Sequence, residues 1–188
     1  MSNLTTKKMI ASSFKELLLE KPMYKITIND IADRASITRQ TFYYHFQDII
    51  SLVEWITIED SNRVLANKDT YATWQEGFLA IFDLIKEDRI FIDNIYHSVS
   101  HEIISKYLYK LVYPIIYKVV NEKSKSKNVS EENKIFITNF YKYSFVSIVL
   151  EWIDKNMKED PKKIVSKVSA LVSGTIDNCI DNINKYEK

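Results

Sequence analysis

Between Thr27 and Phe46 the chain reads TINDIADRASITRQTFYYHF, and this stretch holds the side chains best suited to chemistry. Arg39 offers a planar fork of donors that fits the two acceptors on a guanine edge. Gln40 offers the donor and acceptor pair that fits adenine. Thr38, Thr41, Tyr43 and Tyr44 carry hydroxyls able to bond phosphate oxygens, and the threonine methyls can touch a thymine methyl. His45 closes the run. Thr27 stands where a helix would begin, and a helix N-terminus favours phosphate through its free N–H groups and dipole. Lys21 and Lys25 lie nearby and can add charge.

Catalytic readings find less support. Two glycines in 188 residues leave no room for a Gly-rich phosphate loop. There is no nucleophile elbow, zinc-ligand spacing or kinase signature. His97 and His101 have the i, i+4 spacing of two ligands on one helix, but no third ligand converges with them in sequence and a helix break is expected at 98–100. Neither a metal site, nor a cofactor, nor an enzyme is expected.

A reading surface needs elements to carry it, and the composition predicts helices. With 2 Gly and 3 Pro the chain lacks the usual punctuation of sheets. Apolar residues make up 46% and charged residues 27%, enough for a buried core and a hydrated surface. The net charge of +1 neither supports nor excludes nucleic acid, which needs only a local basic patch. One cysteine, Cys179, can form no internal disulfide and fits a cytoplasmic location as an apolar filler. Residues 1–6 lack the apolar run of a signal peptide, and no apolar stretch approaches a membrane span.

Along the chain, Ile10, Phe14, Leu17 and Leu18 form a helical stripe over 4–20 that Pro22 ends. Thr27-Ile28-Asn29-Asp30 is a helix start of the capping-box kind. A short helix follows to Ala35, then a turn at Ser36-Ile37, then a helix over 39–46 capped by Thr38. Asp48 caps a fourth helix to about residue 67, with Val64 and Leu65 on its apolar side, and 67–70 reads as a connector. Helices are predicted over 73–86, from there through His97, over 102–122 with a kink at Pro114, and over 130–158. After the Asp160-Pro161 restart, one further helix is predicted to about residue 184. The chain is therefore predicted to be all-α. A helix-turn-helix domain spans 1–47 and a helical bundle spans 48–188.

A short helical pair is common, and an ordinary three-helix core with an aromatic edge would also fit the pattern. The residues themselves narrow the choice. Residues 10–46 resemble the N-terminal domain of the TetR family of bacterial regulators. The marks are Phe14, Thr27-Ile28, Asp30-Ile31-Ala32, Ala35, Ile37-Thr38 and Thr41 to Phe46. The stretches from Thr73 and from Phe140 to Gly174 are similar to the branch that regulates dihydroxyacetone-kinase operons, a likeness that names no ligand. Two positions depart from the family pattern. Ser36 stands where glycine is common, and Ile49 stands where a phosphate-binding lysine often opens the fourth helix.

The resemblance implies a cytoplasmic homodimer that binds a double-stranded DNA operator. The last two helices of each subunit would make the dimer, and an effector pocket would lie among the middle helices. The DNA-binding set expected here is Thr27, Thr38, Arg39, Gln40, Thr41, Tyr43, Tyr44 and His45. Trp74, Phe78, Tyr96, His97, His101, Tyr107 and Tyr141 are the candidates for a pocket suited to an apolar or planar ligand, with plain packing as the competing reading. Phe140, Ile148 and Trp152 lie on a helix apolar on more than one side. Ser166, Ala170 and Gly174 form a small-residue stripe, so these six are expected at the dimer seam. Control by a small molecule is expected, with control by a docked co-regulator protein as the alternative.

Overall fold

The computed structural model describes residues 3–66, 73–98 and 101–186, without the side chains of 64–66 and 184–186. The connector expected at 67–70 and the apolar side chains of Val64 and Leu65 lie outside the described residues. Ten α-helices and one 3-10 turn are present among the described residues, with no strand. They divide into two compact units. One comprises Met1–Asn62 with Asp88–Tyr107, and the other Arg63–Glu87 with Leu108–Lys188.

In the first unit, α1 (Asn3–Glu20) buries the predicted stripe of Ile10, Phe14, Leu17 and Leu18. Pro22 precedes the 3-10 turn Met23–Lys25. Next come α2 (Ile28–Arg34) and α3 (Arg39–His45), then most of α4 (Ile49–Ala66). Thr27 and Asp30 form a reciprocal capping box on α2. Thr38 caps α3 through the Thr41 amide at 3.1 Å. Asp48 caps α4 by accepting from the Ser51 amide at 2.7 Å. Buried hydroxyls of Thr57 and Ser61 are satisfied by donating to carbonyls one turn back along α4.

Between α2 and α3 the chain turns at Ser36, whose φ is +52°. The Ser36 amide donates to Asp33 O at 3.1 Å and the Ile37 amide to Ala32 O at 2.9 Å. That is a Schellman closure, whose left-handed position favours glycine. The left-handed region costs an L-residue about 1–2 kcal/mol, and glycine returns about half of the gain through its freer unfolded chain. Ser36→Gly is therefore expected to raise stability by about 0.5–1 kcal/mol, or about 1–4 °C in Tm. A calorimetric scan showing no gain would contradict that.

Two elements from later in the sequence complete this unit: α6 (Arg89–Ser98) and the first turns of α7 (His101–Ser124). Phe91, Ile92 and Ile95 are buried. Phe91 meets Phe14 of α1 edge-on at 6.4 Å, and Asn94 Oδ1 accepts from the Met23 amide at 3.0 Å.

The second unit holds α5 (Trp74–Glu87), the rest of α7, α8 (Glu131–Asp154), α9 (Pro161–Val172) and α10 (Thr175–Tyr186). An aromatic spine joins α5 to α8. Phe78 lies 5.0 Å from Phe82 and 4.6 Å from Phe145, and Phe82 lies 4.8 Å from Trp152. Gly77 lets α5 approach α7, since a Cβ there would stand 3.1 Å from the Ile115 side chain. The helix of α7 continues on both sides of Pro114.

Two helix ends differ from the sequence expectation. α8 stops at Asp154 rather than near residue 158, because Asn156 and Met157 adopt φ of +58° and +56°. Their amides close the end onto Ile153 O and Trp152 O, both at 2.8 Å, while the Met157 side chain is buried. The single helix expected over 161–184 is two, α9 and α10, broken at Gly174 with φ +71°. The apolar stripe runs across the break, so periodicity alone could not reveal it.

Candidate nucleic-acid interface

α3 has seven residues and two contrasting sides. Phe42 is completely buried and meets Phe46 at 5.9 Å and Tyr43 at 6.0 Å. With Phe42 facing inward, its neighbours point out. Arg39 and Gln40 are exposed, Tyr43 is 45% exposed and Tyr44 79%. Behind them, Ile31, Ala32 and Ala35 are buried where α2 packs on α3.

The polar side chains are partly organised by one another. Arg39 donates from Nη2 to the Tyr43 hydroxyl at 3.1 Å, with its guanidinium 5.4 Å from the centre of that ring. This holds the fork beside Tyr43 rather than on a carboxylate, so its charge remains available to an incoming acceptor. The Thr38 and Thr41 hydroxyls lie 2.9 Å apart. By contrast, Arg34 is committed to Glu20 at 2.7 Å and Glu16 at 3.6 Å, which together raise its pKa, Glu20 contributing most.

Thr27 is more constrained than its position suggested. Its hydroxyl accepts from the Asp30 amide at 3.2 Å and donates to Asp30 Oδ2 at 2.7 Å. Lys21 binds the same carboxylate at 2.9 Å. Hydrogen bonding from Lys21 first, then from the Thr27 hydroxyl and amide, holds the Asp30 carboxyl down to about 2. A phosphate at Thr27 would compete with an ionised carboxylate for that hydroxyl proton.

His45 is half-buried, its Nδ1 enclosed without a hydrogen-bond partner. Burial, and then the charge of Lys7, push its pKa below the ordinary histidine value. The ring stands edge-on to Tyr44 at 5.0 Å. Nothing in the sequence around Lys7 marks it as part of the site. Here its Nζ lies 5.5 Å from the Phe46 ring centre and 5.9 Å from that of Trp55. That contact joins residues some forty positions apart, so no local pattern could signal it. Tyr24, 75% exposed beside Lys25, is a second residue that no sequence pattern marked.

The residues named for a pocket fall in both units. In the first, Tyr96 meets His97 and His101 edge-on at 5.2 and 4.8 Å, and Tyr107 is buried. In the second, Trp74 and Phe78 pack on Phe145, and Tyr141 donates to Thr175 Oγ1 at 2.8 Å. Burial, followed by contact with Cys179, pushes the Tyr141 phenol up to about 12. No three His, Cys, Asp or Glu side chains converge as metal ligands among the described residues. No described helix is long and apolar enough to cross a membrane.

Of the residues named for a dimer seam, Phe140 is 60% exposed, with Ser166, Ala170 and Gly174 also exposed and Ile148 half-buried. Trp152 is buried in its own unit, donating from Nε1 to Glu159 O at 2.9 Å. Phe136, 66% exposed, joins Phe140, Tyr141, Cys179 and Ile183 around an apolar groove of about 350 Å³ between α8 and α10.

Residues 14–55 match the family described as bacterial regulatory proteins, tetR family, and residues 72–174 match a transcriptional regulator C-terminal region of that family. The HTH-type dhaKLM operon transcriptional activator DhaS of Lactococcus lactis subsp. lactis is 33% identical over 94 residues. That match spans 50% of this chain and 50% of that relative's length. Among solved structures, a dihydroxyacetone kinase operon activator DhaS superposes with a TM-score of 0.71 at 26% identity, over 92% of this chain and 97% of that one. The fatty acid degradation regulator FadR from Bacillus halodurans shares the fold, with a TM-score of 0.62 at 13% identity over 88% and 93% of the two chains. A head that buries Phe42 and presents Arg39, Gln40 and Tyr43, joined to a matching C-terminal region, places this chain in the TetR family of bacterial transcriptional regulators.

Proposed function

We propose that the chain acts as a homodimer reading a palindromic operator. Residues 1–47 would be the DNA-binding domain and 48–188 the domain for dimerisation and control. The observation that carries this is the two-sided α3: Phe42 is sealed inward while Arg39, Gln40, Tyr43 and Tyr44 face solvent. A helix of that shape fits the major groove, with Arg39 on guanine, Gln40 on adenine, and Tyr43 able to touch a base edge. Thr27, Thr38, Thr41, Tyr44 and His45 would set register on phosphates.

Enrichment of randomised duplexes with the purified chain should return a palindrome whose half-sites lie about one helical turn apart, or a multiple of it. Arg39→Ala should then lose about 1–3 kcal/mol of discrimination at one base pair per half-site. Uniform losses on every sequence would make Arg39 a phosphate contact. Enrichment of no duplex at low salt would remove the reading altogether.

Control is proposed to come from a small apolar or planar molecule taken up among the aromatic side chains of 48–188. A partner protein is the second reading, favoured by one exposed feature. Lys142 Nζ lies 4.3 Å from the Tyr143 ring centre, 4.8 Å from that of Tyr109 and 5.8 Å from that of Tyr113. Half-exposed tyrosines around a cation resemble the composition of protein interfaces. A thermal shift with a small-molecule set supports the first reading, and a stable complex purified without any ligand supports the second.

A further inference from the structure

Arg39 and Tyr43 stand four residues apart on α3, about one turn of helix, with both side chains exposed. Arg39 Nη2 donates to the Tyr43 hydroxyl at 3.1 Å, and the guanidinium lies 5.4 Å from the centre of the same ring. The sequence of α3, RQTFYYH, holds no acidic residue that would draw the cation away along the helix. The Tyr43 ring is anchored in its turn, standing edge-on to the fully buried Phe42 at 6.0 Å. Arg39 is thus tied through both hydroxyl and ring to a residue that rests on the core of the head. Tyr44, the next residue along, is 79% exposed and meets His45 instead.

We infer that Tyr43 is a positioning residue for sequence specificity: it fixes the Arg39 fork before DNA arrives, so that the base Arg39 reads is discriminated more sharply than by a free arginine. The inference deepens the DNA-reading role proposed above and rests on it. An arginine loose in solvent loses much rotamer freedom when it docks, and that loss is subtracted from the contact it makes. One held beforehand loses less. Holding it also favours one target. A loose arginine can swing to a phosphate and bind every sequence alike, whereas a fork kept beside Tyr43 is presented at one place along the groove. The donors allow both contacts at once. One N–H of the guanidinium goes to Tyr43, and the others remain for the two acceptors on a guanine edge. The hydroxyl of Tyr43 therefore contributes to specificity through Arg39.

The test compares wild type with Tyr43→Phe, which keeps the ring against Phe42 and removes only the hydroxyl. Without DNA, NMR relaxation of the Arg39 Nε–H group should show a more mobile side chain in the variant. Arg34, held by Glu20, should show no change, and neither should the melting temperature. On the duplex enriched by the wild-type chain, the variant should lose about three- to tenfold of the discrimination at the base pair read by Arg39. Discrimination at the pair read by Gln40 should stay as it was. In an Arg39→Ala background the same change should do nothing further, because a positioning residue acts only through its partner. Unchanged Arg39 mobility overturns the inference, whether or not any duplex binds. Equal losses on all sequences overturn it too, since the hydroxyl is then itself a phosphate contact. So do additive losses in the Arg39→Ala background, since Tyr43 then reads DNA on its own. If the wild-type chain enriches no duplex, the DNA-reading proposal fails, and the positioning role, which rests on it, is overturned with it.

Discussion

Phe42→Ala is expected to abolish operator binding by unfolding the reading head. Phe42 is completely enclosed, and its ring is the shared wall between α3, Phe46 and the exposed Tyr43. Truncating a buried phenylalanine costs about 3–5 kcal/mol, the lost transfer energy plus the cavity left behind. A whole domain is stable by only about 5–15 kcal/mol, and the head has little in reserve. α2 and α3 are seven residues each, too short to persist without packing. The capping box at Thr27 and the N-cap at Thr38 stabilise helix ends but cannot replace a core. Urea titration followed by circular dichroism should show an early partial transition. Affinity for the enriched duplex should fall by more than about a hundredfold. Wild-type stability and affinity in this variant would show that α3 is not held by Phe42.

The second large effect is expected at the exposed aromatic face of α8. Phe136 and Phe140 leave most of their rings in water beside the groove between α8 and α10, and Leu171 of α9 is 76% exposed. Single exposed apolar residues are ordinary, but a contiguous aromatic patch marks an interface. If two copies pair through it, each protomer buries about 100 Å² per ring, or about 2.5 kcal/mol per ring at 25 cal/mol per Å². Two-fold symmetry doubles every substitution. Phe136→Glu with Phe140→Glu should therefore weaken dimerisation by about a thousandfold or more and give a monomer in sedimentation at micromolar concentration. Operator affinity should drop by about a hundredfold or more as the paired half-sites lose their shared tether. A variant that remains dimeric would move the seam away from this face.

These two effects differ in how far the sequence foretold them. Phe42 announces itself by pattern: Ile31, Ala35, Ile37 and Phe42 are spaced as one small core, with Arg39, Gln40 and Tyr44 left on the other side of the helix. The capping residues Thr27, Thr38, Ser130 and Asp160 are equally legible, because a cap is a contact across two or three residues. For the proposed seam the pattern says less: Phe140 and Trp152 lie on the same over-apolar helix, yet Phe140 is exposed and Trp152 is buried in its own unit against Phe82. Periodicity shows that a helix side is apolar, not which neighbour covers it. The break at Gly174 escaped for a related reason, since a left-handed residue does not disturb the stripe it interrupts.

By itself, then, the amino-acid order determined the all-helical class, the placement of most helices and the outward character of Arg39, Gln40, Tyr43 and Tyr44. All of these follow from interactions within a turn or two of helix. Tertiary structure alone decided that α6 belongs with the reading head, that Lys7 sits over Phe46 and Trp55, and that Lys15 joins Asp60 and Asp88. Those contacts join residues from about forty to more than seventy positions apart. Their partners are charged and aromatic residues of ordinary type, and only the folded chain selects which of many such pairs meet.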